Sequence, residues 1–490
     1  IGLPAFTAAS PSAMSTSYID AQNYPSPAFD VASVAANIVD ASAGLSEYAI
    51  ESYFARLSLA YKDRYVVNAT IRTDGSSRFA PDCRWGWFPS VSVGWNVSNE
   101  SFWNAEKTDL KIRASYGRTG NQDGISNYGW QALISGGVNY GGQSGIAISS
   151  SGNDRLTWET ADQYNAGFDL SFLGGKINMI ADVYLKNTNN LLYSKPVHAT
   201  TGETSILSNI GSMRNKGVEF TINTHLNLGK VLWSSSFNIA RNVNKLTSLL
   251  EDDLLSIGAN RALKLGRTVG SWYIFRTDGI YQYDGEVPQA LYDKGVRAGD
   301  VKYWDRNGDG NITDDDRIVT GNPNPKFSGG WNNTFKYKGL ELSLFFTYSY
   351  GNDVYASWMI PGSKPGHTRS LLKAYADNRW TGPGTSDKYP RAIYSYSGWN
   401  GKNSTMYLTD GSFIRLRSVT LGYTFPQRLV SKIHLKGLRV YAQGDNVFLC
   451  SRYPGWDPET SVNLDPRFYG EDNDGVPQPR IFKLGVNITF

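Results

Sequence analysis

Apolar and hydrophilic residues alternate with a period of two along many segments of this chain. In segment 90–98, for example, Val91, Val93 and Trp95 alternate with serine, glycine and asparagine. Successive side chains of a β-strand point to opposite faces of the sheet, so this period predicts strands with one apolar and one hydrophilic face. The clearest further examples are the segments 176–185, 340–350 and 483–490.

The alternation predicts about thirteen strands, joined in turn by short and by long connections. The expected strands are 48–61, 65–77, 87–98, 110–118, 161–172, 176–187, 213–227, 231–246, 327–337, 340–350, 412–424, 438–447 and 481–490. Short turns are expected around residues 62–64, 174–175, 229–230 and 338–339. Long connections rich in glycine, asparagine and serine are expected near 119–160, 187–212, 247–326, 352–411 and 448–480.

Two kinds of all-β protein have strands with one apolar face. A soluble antiparallel sandwich is the simpler interpretation, but its strands are typically about five or six residues long, shorter than those expected here. Short turns at one end and long loops at the other are typical of outer-membrane barrels, in which the short turns are periplasmic. We therefore predict an all-β fold, a transmembrane antiparallel β-barrel.

The number of expected strands is odd, and this indicates how the chain relates to a complete barrel. The first expected strand runs inward to the turn at 62–64, and the last also runs inward and ends at Phe490. An odd set of strands does not close into a bacterial barrel, and unpaired edges are costly in lipid. We therefore expect residues 48–490 to be the C-terminal part of a barrel, and residues 1–47 to be the remnant of an extracellular loop.

Composition agrees with this interpretation. Aromatic residues make up 13% of the chain, charged residues 19%, and there are 50 glycines, a balance that favours strands and turns. No stretch reaches the roughly 18 apolar residues of a membrane-spanning helix, and a net charge of +4 does not indicate nucleic acid as a partner. Cys83 and Cys450 can form one disulfide or remain two thiols.

The last eight residues contain a candidate signal for insertion into the outer membrane. Segment 483–490 carries a polar residue, Gly485, then Ile488 and a final Phe490. This spacing matches the insertion signal that barrel assembly machinery reads as an added strand. The alternative is an amphipathic edge strand that happens to end in phenylalanine.

Several segments resemble one family. The Asp-Gly-Ser-Ser-Arg-Phe run of 74–79, with its neighbours at 61–65, 72–73, 87–90 and 94–95, is similar in order and spacing to the barrel signature of the SusC-like (SusC/RagA) TonB-dependent transporters. The segments 300–303, 305–316, 321–325 and 484–490 also resemble that family, so the resemblance covers about 48–490.

This resemblance implies a barrel of about 22 strands with a plug, of which the plug and the remaining strands would lie outside this chain. It implies TonB-dependent active import of a nutrient across the bacterial outer membrane, an oligosaccharide in first place and an oligopeptide in second. It also implies a SusD-like surface lipoprotein and TonB as partners. The alternatives are a siderophore or vitamin receptor, a passive porin and a soluble calcium-binding carbohydrate-active protein.

Segment 305–316 predicts a cation site. Asp305, Asn307 and Asp309 occupy positions 1, 3 and 5 of a calcium-loop pattern with glycine at position 6, which places hard oxygen ligands around a sharp turn. The alternative is a turn without metal. The expected ligands of a structural Ca²⁺, or of Mg²⁺ because an aspartate replaces the usual glutamate at position 12, are Asp305, Asn307, Asp309, the Asn311 carbonyl, Thr313 and Asp316.

No residues suggest catalysis. The four histidines, His198, His225, His367 and His434, are scattered without metal-ligand spacing, and no nucleophile, phosphate loop or acid–base pair is evident. We therefore expect a transporter rather than an enzyme. Tryptophans are candidates for stacking on sugars, but membrane-interface girdles use the same residue type. These candidates, together with Tyr128, are Trp85, Trp87, Trp103, Trp130 and Trp158.

Overall fold

The computed structural model describes residues 6–9, 13–16, 21–22, 37–38, 43–103, 108–198, 200, 203, 205–249, 253–362, 370–393 and 398–490. One antiparallel sheet of fourteen strands contains the short strand Phe6–Ala9 and thirteen long strands. The long strands are Ala49–Tyr61 (β1), Tyr65–Ser76 (β2), Trp85–Asn96 (β3), Thr108–Asn121 (β4), Glu159–Phe172 (β5), Ile177–Pro196 (β6), Ser205–Leu228 (β7), Val231–Leu249 (β8), Phe327–Tyr337 (β9), Leu340–Tyr350 (β10), Phe413–Thr424 (β11), Gly437–Ser451 (β12) and Ile481–Thr489 (β13).

The thirteen predicted strands are confirmed, most of them to within two residues at each end. Each long strand pairs with the next one along the chain, so the sheet is a simple meander. Among the described residues no ladder joins β13 to β1, and the sheet is open. The strand Phe6–Ala9 pairs with residues 49–52 of β1.

The two faces of the sheet differ as the alternation predicts. Leu57, Val93, Val183 and Leu421 belong to one face, where large apolar side chains are exposed. The other face is hydrophilic, and at the end of the sheet that carries the long connections it is covered by them. There Phe88 of β3 packs with apolar residues of the connections in a buried cluster. The sheet is therefore apolar outside and hydrophilic where the connections fold over it.

One predicted connection is wrong in extent. The segment 187–212 is mostly strand, because β6 continues to Pro196 and β7 begins at Ser205. The ladder continues there through register shifts near residues 188–192. The hydrophobic period does not reach this extension because Asn187, Asn189 and Asn190 replace apolar residues.

The connections at both ends of the sheet have secondary structure of their own. Their strands are Leu133–Tyr140, Gln143–Ser150, Leu254–Ile257, Arg261–Lys264, Trp272–Phe275, Thr277–Ile280, Val301–Tyr303, Arg317–Thr320, Asp353–Ala356, Leu408–Asp410 and Glu471–Asp472. The α-helices are Gln289–Asp293 (α1), Met359–Gly362 (α2), Lys373–Asn378 (α3) and Gln427–Val430 (α4). Short 3₁₀ helices are Pro81–Cys83, Val97–Asn99, Asp284–Glu286, Asp314–Asp316, Thr405–Tyr407 and Ser431–Ile433.

Two buried clusters make the connections compact. One surrounds Phe275, Tyr281 and Tyr303, and the other surrounds Trp272, Tyr355 and Tyr407. Residues from three separate connections meet in the second cluster. The connections therefore form a packed layer rather than separate loops.

Three sequence expectations concern the rest of the chain. Most of residues 1–47 lies outside the described residues, apart from Phe6–Ala9 and the short strands Ala13–Thr16, Ala21–Gln22, Asn37–Ile38 and Ala43–Ser46. Cys83 and Cys450 are both free thiols. No helix among the described residues is long and apolar enough to cross a bilayer.

Candidate functional site

A cavity of about 590 Å³ lies between the hydrophilic face of β6–β8 and the connections folded over it. The strands contribute one wall through residues such as Tyr193, Asn215 and Asn242. The connections contribute the other through Val269 and Asp465–Arg467. The cavity therefore lies on the side of the sheet away from the exposed apolar face.

The inner part of the cavity is aliphatic. Leu246 of β8 is 2% exposed and packs with Ile257 and Leu263 from the connection that follows β8. Met213 of β7 pairs directly with Leu246 and also packs against this cluster. Apolar surface is thereby removed from water where the connection meets the strands, which holds this wall in place.

Two residues further along the same strands, at Asn215 and Asn244, the lining becomes polar. Asn215 pairs with Asn244 across β7 and β8, and the Asn244 amide Nδ2 donates to Asn215 Oδ1 at 2.9 Å. The backbone N–H of Val269 donates to Asn244 Oδ1 at 2.9 Å. Asn242, two residues along β8, is exposed on the same face. The asparagines thus fix the connection to the wall and present amide groups to the cavity.

An ion pair forms the opposite rim. The Arg467 guanidinium donates through Nε to both carboxylate oxygens of Asp465 at 3.0 Å and lies 5.6 Å from the centre of the Tyr193 ring. The hydrogen bond from Arg467 is the main reason that the pKa of Asp465 lies below its usual value. The pKa of Arg467 is raised by the same partner. Both groups are therefore charged at neutral pH.

The connection that carries this rim is anchored by Arg261, whose side chain is buried. Its Nη2 donates to the carbonyl oxygens of Phe468 at 3.2 Å and Tyr469 at 3.0 Å. Burial lowers the pKa of Arg261 to about 10, which leaves it protonated at neutral pH. Arg261 thus joins the connection after β8 to the connection after β12.

The predicted cation loop folds as a tight turn. The Asp305 carboxylate accepts the backbone N–H groups of Gly308 at 2.7 Å and Gly310 at 2.8 Å, and Gly310 has a φ of +76°, a conformation that favours glycine. Asn307 Oδ1 and Asp309 Oδ1 accept the N–H groups two residues ahead, at 3.0 and 2.7 Å. The hydrogen bond from position 6 to the first aspartate closes the turn.

The remaining predicted ligands lie beside that turn. Asp316 is fully buried and accepts the N–H groups of Arg306 at 2.9 Å and Thr313 at 2.7 Å. Asn311 Oδ1 accepts Lys294 Nζ at 2.8 Å. Among the described residues, no three acidic, histidine or cysteine side chains are grouped closely enough to hold a metal ion. Carboxylate, amide and carbonyl oxygens are the ligand type that a hard cation prefers, and the site stays a prediction.

The residues of the cavity were not predicted from the sequence. Asn242 and Asn244 are two residues apart on a strand, and from this spacing alone the sequence could have predicted two neighbouring amide side chains on the hydrophilic face. Val269, Asp465 and Arg467 are far in sequence from these asparagines, and no sequence pattern predicts that they line the same cavity. Of the candidate stacking residues, Trp158 is buried against Phe79 and Phe88.

Comparison with known proteins identifies the class of the chain. Residues 6–314 match the family model described as TonB dependent receptor-like, beta-barrel. A TonB-dependent receptor of Formosa agariphila is 35% identical over 467 residues, which cover 91% of this chain and 46% of the relative. The TonB-dependent receptor SusC of Bacteroides thetaiotaomicron is 31% identical over 464 residues, 90% of this chain and 43% of SusC.

Solved structures agree on the fold. The structure of the RagAB peptide importer in its closed-closed state has a TM-score of 0.79 and 23% identity, and covers all of this chain and 55% of the other. The chain spans about half the length of the curated relatives it matches. The predicted resemblance to the SusC-like transporters and the predicted β-barrel fold are both confirmed.

Proposed function

Because the chain belongs to the TonB-dependent receptor-like β-barrel family, we propose that it forms part of the wall of an outer-membrane transporter that imports a nutrient oligomer by TonB-dependent active transport. The observation that carries the proposal is the two-faced sheet. Its apolar face suits lipid, while its hydrophilic face and the packed connections enclose the cavity at one end.

The substrate class that follows from the resemblance is an oligosaccharide. The cavity favours a second candidate. Among its lining residues Tyr193 is the one aromatic side chain, whereas the aliphatic ones are numerous, and sugars are commonly held by stacking on aromatic rings. An aliphatic floor with amides and an ion pair at its rim suits an oligopeptide, whose backbone offers hydrogen bonds and whose ends are charged.

Import requires partners beyond this chain. We propose that a plug and further strands complete the barrel, that TonB supplies energy from the inner membrane, and that a SusD-like lipoprotein lies over the connections. Among the described residues, β13 and the part of β1 after residue 52 each lack a partner strand on one side. These open edges support the need for further strands, because unpaired backbone groups are costly in lipid. No covalent chemistry is part of the proposed function.

We also propose that segment 305–316 binds one structural Ca²⁺, with Mg²⁺ as the alternative. The support is the donor set of Asp305, Asn307, Asp309, Thr313 and Asp316 with the Asn311 carbonyl, together with the turn at Gly310. The loop lies beside the cluster around Phe275, since Ile312 belongs to that cluster. A cation there would stabilise the connection after β8 rather than take part in transport.

The test of the substrate site uses the full-length transporter purified from outer membranes in detergent. Defined oligosaccharide and oligopeptide mixtures are offered to it, and retained ligands are identified by native mass spectrometry. We expect the variant Asn242→Trp, which fills the cavity, to weaken binding of the retained ligand at least about tenfold.

The matched control is Arg241→Trp, the neighbouring residue on the same strand, which faces the apolar side over the ring of Phe327. It should bind like the unchanged protein. Equal affinity in all three proteins would show that the cavity is not the substrate site.

A further inference from the structure

The short turns at one end of the sheet are rich in positive charge. Five of the six connections at this end are residues 62–64, 173–176, 229–230, 338–339 and 425–436, and together they contain eight lysines or arginines but one acidic residue, Asp63. The sixth, 97–107, is partly outside the described residues and contains Glu100, Glu106 and Lys107, so all six connections together contain nine basic and three acidic residues. The basic residues are Lys62, Arg64, Lys176, Lys230, Lys338, Arg428, Lys432 and Lys436.

Seven of these eight side chains are exposed, and Arg64 is partly buried. Arg64 pairs with Glu100 at 3.1 Å, and the other ion pairs nearest to these turns join Lys336 and Arg439 to Glu341. In the part of the chain that the structure describes, the seven remaining side chains have no carboxylate within 4.0 Å. Lys62 and Lys338 lie 5.2 and 5.4 Å from the centres of the tyrosine rings that precede them.

An aromatic belt lies at the same level of the sheet. It contains the ring pairs Tyr65 with Trp95, Trp233 with Phe335, and Tyr423 with Phe425. Aromatic girdles mark the boundary between hydrocarbon and headgroups in outer-membrane barrels. Trp85 at the other end of β3 shares a face with Trp95, and ten residues of strand tilted by about 40° span roughly 26 Å, close to the thickness of an apolar band.

The longest of these connections has the features of an interfacial segment. Helix α4 and the 3₁₀ helix after it carry Leu429 and Ile433, four residues apart and 54% and 59% exposed. Arg428, Lys432 and Lys436 flank this apolar pair. Exposed apolar side chains beside basic ones are typical of segments that lie in the interface of a bilayer.

We propose that the short-turn end of the sheet, and above all the segment 425–436, binds the headgroups of anionic phospholipids in the leaflet that faces the turns. The charges continue directly from the aromatic belt, so the phosphates of that leaflet lie at their level. Zwitterionic headgroups neutralise their own phosphate, whereas anionic ones retain a net charge that these cations can pair with. The inference rests on the proposed membrane location but goes beyond the transport function.

The experiment reconstitutes the full-length transporter in phosphatidylcholine bilayers with trace spin-labelled phosphatidylglycerol or phosphatidylcholine. Electron paramagnetic resonance then gives the relative affinity of each lipid for the protein surface. We expect phosphatidylglycerol to be preferred roughly threefold. The variant Arg428→Gln/Lys432→Gln/Lys436→Gln should lose most of this preference.

The control Lys302→Gln/Lys373→Gln/Lys388→Gln removes the same charge from exposed lysines of the long connections and should keep the preference. No preference in the unchanged protein, or an equal loss in both variants, would overturn the inference while leaving the membrane location intact. Displacement of the labelled lipid by inorganic phosphate at constant ionic strength would show a site for free anions and also overturn it. If no lipid is held by the protein at all, the membrane location itself is wrong.

Discussion

The guanidinium of Arg261 lies 4.1 Å from the centre of the Trp272 ring. Arg261 also donates hydrogen bonds to the carbonyl oxygens of Gly270, Phe468 and Tyr469. Trp272 and Arg261 come from adjacent strands of one connection, while Phe468 and Tyr469 belong to another. This contact therefore locks together the two connections that form the outer wall of the cavity.

Removing this anchor should loosen the wall without unfolding the sheet. Arg261→Met leaves the carbonyl groups of Phe468 and Tyr469 without their donor, and such losses cost roughly 3 kcal/mol in buried sites. We expect faster hydrogen exchange in segment 461–472 and unchanged exchange in β10–β12. Arg267→Gln, which changes an exposed arginine of the same connection, should have no effect; equal exchange in both variants would contradict the anchoring role.

The calcium proposal predicts a loss of metal without loss of the barrel. Asp305→Ala/Asp309→Ala should abolish binding of one Ca²⁺ in calorimetry and increase proteolysis within 247–326, because two of the oxygen ligands are gone. Asp315→Ala is the control, since this exposed aspartate is not an expected ligand. If the unchanged protein binds no ion at millimolar calcium, segment 305–316 is a turn without metal.

The ion pair at the cavity rim predicts a dependence on pH. The pKa of Asp465 is lowered in the folded protein by Arg467, so its stabilising effect is complete above the unfolded value of about 3.9 and is lost as the pH falls below it. Pepsin should therefore cut segment 452–480 increasingly below about pH 4. In Asp465→Asn this segment should already be more accessible near that pH, and identical profiles for both proteins would rule out a role of the pair.

The strands were predictable because successive side chains of a strand point to opposite faces, so a sheet with one apolar face has apolar residues at every second position. Leu57 and Val93 lie on the exposed apolar face that their spacing predicts. Beyond the apolar band this constraint ends, which explains why the extensions of β6 and β7 around Asn187 and Ser205 were missed. The cavity was not predictable for a different reason: Leu246, Val269 and Arg467 meet through packing between distant segments, which leaves no periodic trace in the sequence.

The predicted insertion signal in segment 483–490 can be tested at Phe490. Phe490 follows β13, whose ladder with β12 begins at Gly437 and Thr489, and its side chain is 79% exposed. If segment 483–490 is the insertion signal that its spacing predicts, Phe490→Ala should lower the amount of transporter in the outer membrane severalfold, because the aromatic residue is part of that pattern. Thr489→Ala should assemble normally. Normal levels of the Phe490 variant, measured by membrane fractionation, would favour an edge strand without a signal function.

Uptake of the retained ligand by whole cells tests transport itself. Cells that carry the full-length transporter should accumulate the labelled oligomer, and an uncoupler of the inner-membrane proton gradient should abolish accumulation. Asn242→Trp should lower the initial rate at least about tenfold at ligand concentrations below saturation, whereas Arg241→Trp should not. Accumulation that persists with the uncoupler would identify a passive pore and contradict active import. If cells take up none of the ligands that the purified protein binds, active import is contradicted as well.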